Sequence, residues 1–180
     1  STLGWTDAAG TPSFCLEGSL FNAGTVIQWL RDGLQIIDQA PQVNELARSV
    51  PDSGGVMLVP AFTGWGTPHW DPQARGVLVG LTRDSGRGHI ARAALEGIAL
   101  SVATLVELAE QALGCGLGEL AVDGGAAASD PLLQAQADCT GLTVRRPASL
   151  ESTARGVALF AGLQAGVISC LLYTSPSPRD

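Results

Sequence analysis

The chain contains no lysine: all ten of its basic side chains are arginines, against 17 acidic residues, which gives a net charge of −7. Charged residues of both signs make up only 15% of the 180 positions, and aromatic residues only 5%. A chain with so few and such scattered positive charges lacks the basic surface that nucleic acids and anionic membranes attract. We therefore expect neither a nucleic acid nor a membrane among its partners.

Cysteine patterns typical of metal sites or disulfide frameworks are also missing. The cysteines form no CxxC pair and have no histidine at ligand spacing, and they stand far apart, at Cys15, Cys115, Cys139 and Cys170. We interpret them as reduced thiols of a cytoplasmic protein. The uncharged run from Gly156 to Tyr173 approaches the length of a membrane span, but its glycines and Gln164 favour a buried amphipathic helix instead.

What the chain does have is enough apolar sequence for one core, because 46% of its residues are hydrophobic. We expect one domain at residues 1–168. The Ser-Pro pairs of residues 169–180 cannot continue a helix, and we expect a foreign or disordered tail there. The chain starts without Met, directly in an alternating pattern, so we also expect it to be an interior piece of a longer gene.

Hydrophobic periodicity and turn residues predict an alternation of strands and helices. The first half is predicted to contain a hairpin (3–6 and 13–16), helices at 20–34 and 43–48, strands at 56–59 and 77–81, and a long helix at 90–112 ended by Gly114. Strands at 120–122 and 142–145 then alternate with helices that start at Asp130, as N-cap, and at Thr153. This order predicts a largely parallel sheet that binds ligands beyond the carboxyl ends of its strands.

The segment from Val59 to Arg83 is the most distinctive part of the sequence, with two Trp, three Pro and four Gly. Glycine permits unusual backbone angles, proline fixes φ, and Trp65 and Trp70 offer flat apolar surface. Such a rigid, bulky loop suits the wall of a binding cleft. It also suits a structural crossover pinned against the core, and spacing alone leaves both interpretations open.

Known sequence signatures in and after this loop point to a family. The run GVLVGL at 76–81, followed by His89–Ile90 and AALE at 93–96, resembles the second signature of the FGGY carbohydrate kinases. The run PAFTGWGTPHWDPQARG at 60–76 resembles the branch of that family that acts on glycerol. The resemblance covers roughly residues 3–167.

The resemblance implies an α/β fold of the actin-like ATPase (ribonuclease H-like) type, with a mixed sheet flanked by helices. This chain would be the carboxyl-terminal, nucleotide-side domain of an enzyme that transfers a phosphoryl group from ATP to glycerol, giving glycerol 3-phosphate. ATP/ADP and Mg²⁺ are the expected cofactors. Glycerol would bind through an amino-terminal domain missing from this chain, and the full-length parent would be a homo-oligomer.

The same resemblance assigns nucleotide contacts to Gly24 and Gln28, within FNAGTVIQWLRD, and to Gly125 and Ser129, within DGGAAAS. Gly24 and Gln28 share a helix face, where the glycine lets a ligand approach the backbone and the amide offers a donor and an acceptor. Position 129 is commonly Asn in this branch, and Ser is shorter. The residues alone leave open a helix-packing role for Gly24, a solvated Gln28 and a generic glycine turn at Gly125.

No catalytic residue and no metal ligand is assigned in this chain. His69 and His89 lack partners at catalytic or metal spacing, and the general base of the family comes from an upstream segment. Asp71 and Asp123 are the candidate carboxylates. Two alternatives stay open: another FGGY kinase that acts on a pentulose or gluconate, and a non-catalytic nucleotide-binding or scaffolding domain of the actin-like fold.

Overall fold

A computed structural model of the chain describes residues 1–6 and 10–168; the predicted tail at 169–180 lies outside the described residues. The elements, in chain order, are β1 (Thr2–Thr6), β2 (Pro12–Cys15), α1 (Gly24–Asp32), α2 (Gln42–Arg48), β3 (Met57–Val59), β4 (Val77–Val79), α3 (Arg87–Leu113), β5 (Glu119–Ala121), a 3-10 helix (Gly125–Ala128), α4 (Asp130–Thr140), β6 (Thr143–Arg145) and α5 (Ser152–Gln164). The α/β class is confirmed, and the order of elements follows the predicted one.

The start of α4 corrects one detail of the sequence analysis. The N-cap is Ser129 and not Asp130: Ser129 has an extended backbone, and its Oγ accepts a hydrogen bond of 3.3 Å from the N–H of Leu132. Asp130 is the first helical residue, and its carboxylate is instead held by Arg146 at 2.7 Å. The end of α4 is as predicted, because Gly141 adopts the left-handed conformation that commonly closes a helix.

The strands pair as three two-stranded sheets within the described residues. Strands β1 and β2 form the expected antiparallel hairpin, and β3 and β4 form a second antiparallel pair. Strands β5 and β6 are parallel, with Leu120 opposite Val144, and α4 makes the connection between them. Parallel pairing is therefore confirmed for β5 and β6, where the strand–helix–strand order predicts it, but the other two described pairs are antiparallel, so the described sheets are not largely parallel.

Helix α3 is the centre of the molecule, and α1, α2, α4 and β3 pack around it. Its buried side chains, among them Leu95 and Ile98, share one core with Val26 and Leu30 of α1 and with Leu132 of α4. Helices α1 and α4 carry or adjoin the four residues assigned to the nucleotide. Their attachment to a common core fixes those residues relative to each other.

Helix α3 is also the one helix among the described residues that is long and apolar enough to cross a membrane by length and composition, with a mean hydropathy of 1.4. Of that apolar window, 56% is buried inside the protein, as in an ordinary core helix. The interpretation of the last helix as a buried one is wrong. None of the residues of α5 is buried, and Val157 and Phe160 are 67% and 52% exposed, because no described element covers them.

Candidate functional site

The glycine loop follows the carboxyl end of β5, where a parallel sheet is expected to bind its ligand. The backbone turns at Gly124, whose φ of +82° is one that residues other than glycine rarely adopt. Gly125 then starts the 3-10 helix with a φ outside that region, and a Cβ added to it would have no atom within 4 Å. The turn thus explains the glycine at 124 but not the one at 125, whose backbone faces open space.

Contacts from the segment after β6 hold this loop in place. The N–H of Gly124 donates to the carbonyl of Leu150 at 3.2 Å, and the N–H of Ser152 donates to Oδ2 of Asp123 at 3.1 Å. Nη1 of Arg146 donates to the carbonyl of Ala127 at 3.1 Å. The carboxylate of Asp123, one of the two candidates from the sequence, therefore anchors the loop.

Ser129 is placed differently from Gly125, although only four residues separate them. It is 5% exposed, and its Oγ donates to Oδ1 of Asn44 on α2 at 2.5 Å while accepting the capping bond from Leu132. A hydroxyl has one proton to donate, so that proton is already used. Ser129 joins α4 to α2, and its contact with a nucleotide stays a prediction.

Gly24 and Gln28 lie one turn apart on α1 and are both exposed, so the shared face is confirmed. A Cβ on Gly24 would meet no atom within 4 Å, which excludes a helix-packing role against the described residues. The opposite face of α1 carries Val26 and Leu30 into the core. The pair therefore points away from the core and offers an open backbone beside an amide side chain.

The long loop after β3 is pinned to the segment that leads into α1. Nδ2 of Asn22, a side chain only 2% exposed, donates to Oγ1 of Thr63 at 3.2 Å. Ser19 and Thr67 exchange two further hydrogen bonds, at 2.9 and 3.0 Å. These contacts are what the crossover interpretation predicts, and they hold the segment just before α1. Asn22 and Thr63 were missed by the sequence analysis, because 41 residues separate them and neither belongs to a local pattern.

Four of the remaining titratable candidates have structural partners. Nδ1 of His89 accepts the N–H of Gly86 at 3.0 Å and caps α3, while Arg92 and Glu96 pair at 2.6 Å one turn apart. Oδ1 of Asp71 accepts the N–H groups of Gln73 and Ala74 in a tight turn. His89 and Asp71 thus have structural roles, one at the start of α3 and one in a turn of the long loop.

Cys15, Cys115 and Cys139 are free thiols. Partial burial, and then the negative charges of Asp138 and Glu96, raise the pKa of Cys139 above its usual value. Across residues 1–6 and 10–168, no group of three or more His, Cys, Asp or Glu side chains gathers as metal ligands do. The described part of the site is therefore an open backbone surface with polar neighbours.

Comparison with known proteins shows the family to which the chain belongs. Residues 2–165 match the FGGY family of carbohydrate kinases, C-terminal domain. The match extends over most of the chain, and the chain belongs to this family. Its fold is accordingly that of the FGGY kinases, an actin-like ATPase fold.

Individual relatives narrow the similarity within the family. The chain is 57% identical to the glycerol kinase of Leptothrix cholodnii over 160 residues, which is 87% of this chain and 32% of that protein. It resembles the crystal structure of Plasmodium falciparum glycerol kinase with ADP at a TM-score of 0.79 and 31% identity, covering 90% of this chain and 32% of the other. A ligand-bound xylulose kinase from Lactobacillus acidophilus follows at a TM-score of 0.69 and 26% identity, with 86% and 31% covered. The chain thus spans about a third of the length of the curated relatives it matches.

Proposed function

We propose that the complete protein carrying this chain is an ATP-dependent glycerol kinase, and that this chain is its nucleotide-side domain. The observation that carries the proposal is the pair of open glycine backbones, at Gly24 and Gly125, on elements anchored to one core. No described residue fills the space that a side chain would occupy at these two positions. A flat ligand lying against the backbone would use that space, and the glycerol kinase similar in structure was solved with ADP.

In the proposed reaction, ATP supplies the γ-phosphoryl group that glycerol accepts. Gly24 and Gly125 let the nucleotide approach the main chain, and Gln28 offers it a donor and an acceptor. Nucleotide contact by Ser129 also belongs to this proposal, although its hydroxyl proton is already donated to Asn44. Phosphoryl transfer further requires an in-line alcohol, a positioned base and a metal ion that neutralises the phosphates.

Those further parts are proposed to lie outside this chain. The carboxylates of Asp71 and Asp123 each hold a turn of this chain through backbone N–H groups, and the resemblance to the FGGY kinases implies a base from an upstream segment. We place the base, the glycerol pocket and the Mg²⁺ ligands in the amino-terminal part, with closure of the two parts excluding water. A cytoplasmic location and self-association of the complete protein belong to the same proposal.

A substrate comparison on the complete protein tests this function. ADP formation from ATP is measured with glycerol, with xylulose and with gluconate at equal concentrations. We expect the highest kcat/KM with glycerol, since the run PAFTG at 60–64 matches the glycerol branch. A higher kcat/KM with xylulose or gluconate would move the protein to another branch of the family. ADP binding without turnover of any of the three would identify a non-catalytic nucleotide-binding domain.

A further inference from the structure

The 3-10 helix that presents Gly125 is a single short turn of four residues, Gly125–Ala128. At its two ends the N–H of Ala127 donates to the carbonyl of Gly124 at 3.0 Å, and the N–H of Ser129 donates to the carbonyl of Ala126 at 3.1 Å. Such short 3-10 segments have poorer hydrogen-bond geometry than α-helices. Its conformation therefore depends on groups that reach it from other parts of the chain.

Arg146 is the side chain that reaches this helix from the end of β6. Its Nη1 donates both to the carbonyl of Ala127, at 3.1 Å, and to Oδ1 of Asp130, at 2.7 Å. One guanidinium thus clamps the last turn of the 3-10 helix to the first residue of α4. Arg48 of α2 approaches the second oxygen of the same carboxylate at 3.7 Å, which adds a weaker support from a third element.

The neighbouring arginine provides a contrast within the same strand end. Arg145 points elsewhere and pairs with Glu119 across the β5–β6 ladder at 2.6 Å, with 66% of its side chain exposed. Arg146 is less exposed, at 39%. The two residues therefore carry the same charge at adjacent positions, but only Arg146 contacts the glycine loop.

We propose that Arg146 is a positioning residue for ATP, which acts by fixing the conformation of the turn at Gly124–Ala128. The inference rests on the proposed function, because it takes that turn as the surface on which the nucleotide lies. Arg146 itself bonds to the protein and not to the nucleotide. Loss of its side chain frees the carbonyl of Ala127 and leaves the turn to sample other conformations, which weakens ATP binding and leaves the glycerol pocket intact.

The test compares three variants with the unaltered complete protein: Arg146→Ala, Arg146→Lys and, as matched control, Arg145→Ala. For Arg146→Ala we expect KM for ATP to rise about fivefold, since the lost charge-assisted bonds are partly exposed to solvent. The KM for glycerol and kcat should change less than about twofold, by the same reasoning. Lysine has a single ammonium head, which can restore only part of the clamp. Arg145→Ala should keep the unaltered KM for ATP.

A fourth variant distinguishes a local effect on ATP binding from a general folding defect. Asp130→Asn removes the carboxylate but keeps the bond from Arg146 to Ala127, so a smaller rise in KM for ATP is expected, again without a change in KM for glycerol. Thermal midpoints of all variants are recorded alongside. Equal rises in both KM values, or a rise in Arg145→Ala as large as in Arg146→Ala, would overturn the positioning role.

Failure of this inference is distinguishable from failure of the proposed function. If the unaltered protein shows saturable ATP turnover and Arg146→Ala has the same KM for ATP, only the role of Arg146 is refuted. If the unaltered protein neither turns over nor binds ATP, the proposed function is refuted, and the positioning role falls with it.

Discussion

At the scale of single residues, the two glycines of the loop have different reasons to be glycine. Gly124 is required by its positive φ, whereas Gly125 sits in ordinary backbone with open space around it. The sequence places both in one GG pair and gives no means of separating them. The backbone angles separate them, because they account for the glycine at 124 and leave the one at 125 to the proposed nucleotide contact.

Substitution of Gly125 by Val tests that assignment. The branched side chain would stand where the nucleotide meets the backbone, so we expect KM for ATP to rise at least about tenfold, which corresponds to about 1.4 kcal/mol. The KM for glycerol should change little. Gly118→Val is the matched control, since Gly118 is also exposed, has no positive φ and has no atom within 4 Å of an added Cβ. An unchanged KM for ATP in Gly125→Val would return the loop to a purely structural role.

Residue contacts that span a long sequence distance are the part of the site that sequence reasoning misses. The bond between Ser129 and Asn44 joins positions 85 apart, and the bond between Arg146 and Ala127 joins positions 19 apart. Neither pair belongs to a helical or alternating repeat. The resemblance to known kinases supplied Gly24, Gln28, Gly125 and Ser129, but it supplied none of the groups that hold them.

At the scale of elements, local patterns predicted most of the helices because their signals are local. The apolar stripe of α3 and its closing Gly114 are visible in the sequence, and the helix ends at Leu113 as expected. The degree of burial is not a local property. Helix α5 has an apolar composition similar to that of a core helix, yet it lies on the surface of the described chain.

A glycine inside α3 illustrates how packing reverses a local preference. Alanine is favoured over glycine in a helix by about 0.8–1 kcal/mol. At Gly97, however, an added Cβ would overlap the backbone carbonyl of Leu58 on β3. We therefore expect Gly97→Ala to destabilise the protein by about 1–3 kcal/mol, as overpacked cores are. The measurement is the thermal midpoint by scanning fluorimetry.

The control for this prediction is Gly156→Ala in α5, where an added Cβ has no atom within 4 Å. There the helix preference acts alone, so stability should stay equal or rise by about 0.5–1 kcal/mol. The same substitution is thus expected to have opposite signs in two helices of one chain. A stabilising Gly97→Ala would show that α3 and β3 are not in close contact in solution.

At the scale of the whole molecule, the sheet was predicted as one mixed layer, and the described residues show three separate pairs. An apolar groove of about 430 Å³ lies between the end of β2, the outer face of α3 and β5, lined by Leu16, Leu105, Leu117 and Leu120 among others. Pairing between strands that are far apart in the sequence depends on hydrogen bonds that no local pattern records.

The last prediction concerns the activity of this chain by itself. The chain spans about a third of the length of the relatives it matches. In the proposed function, the base that activates the alcohol and the pocket that aligns glycerol with the γ-phosphate lie outside this chain. We therefore expect the 180-residue chain to form no ADP in a glycerol-dependent manner.

Circular dichroism and ADP titration on the same sample separate an inactive domain from an unfolded one. Glycerol-dependent turnover by the isolated chain would mean that base and acceptor pocket both lie within it, and the division of labour proposed here would be wrong.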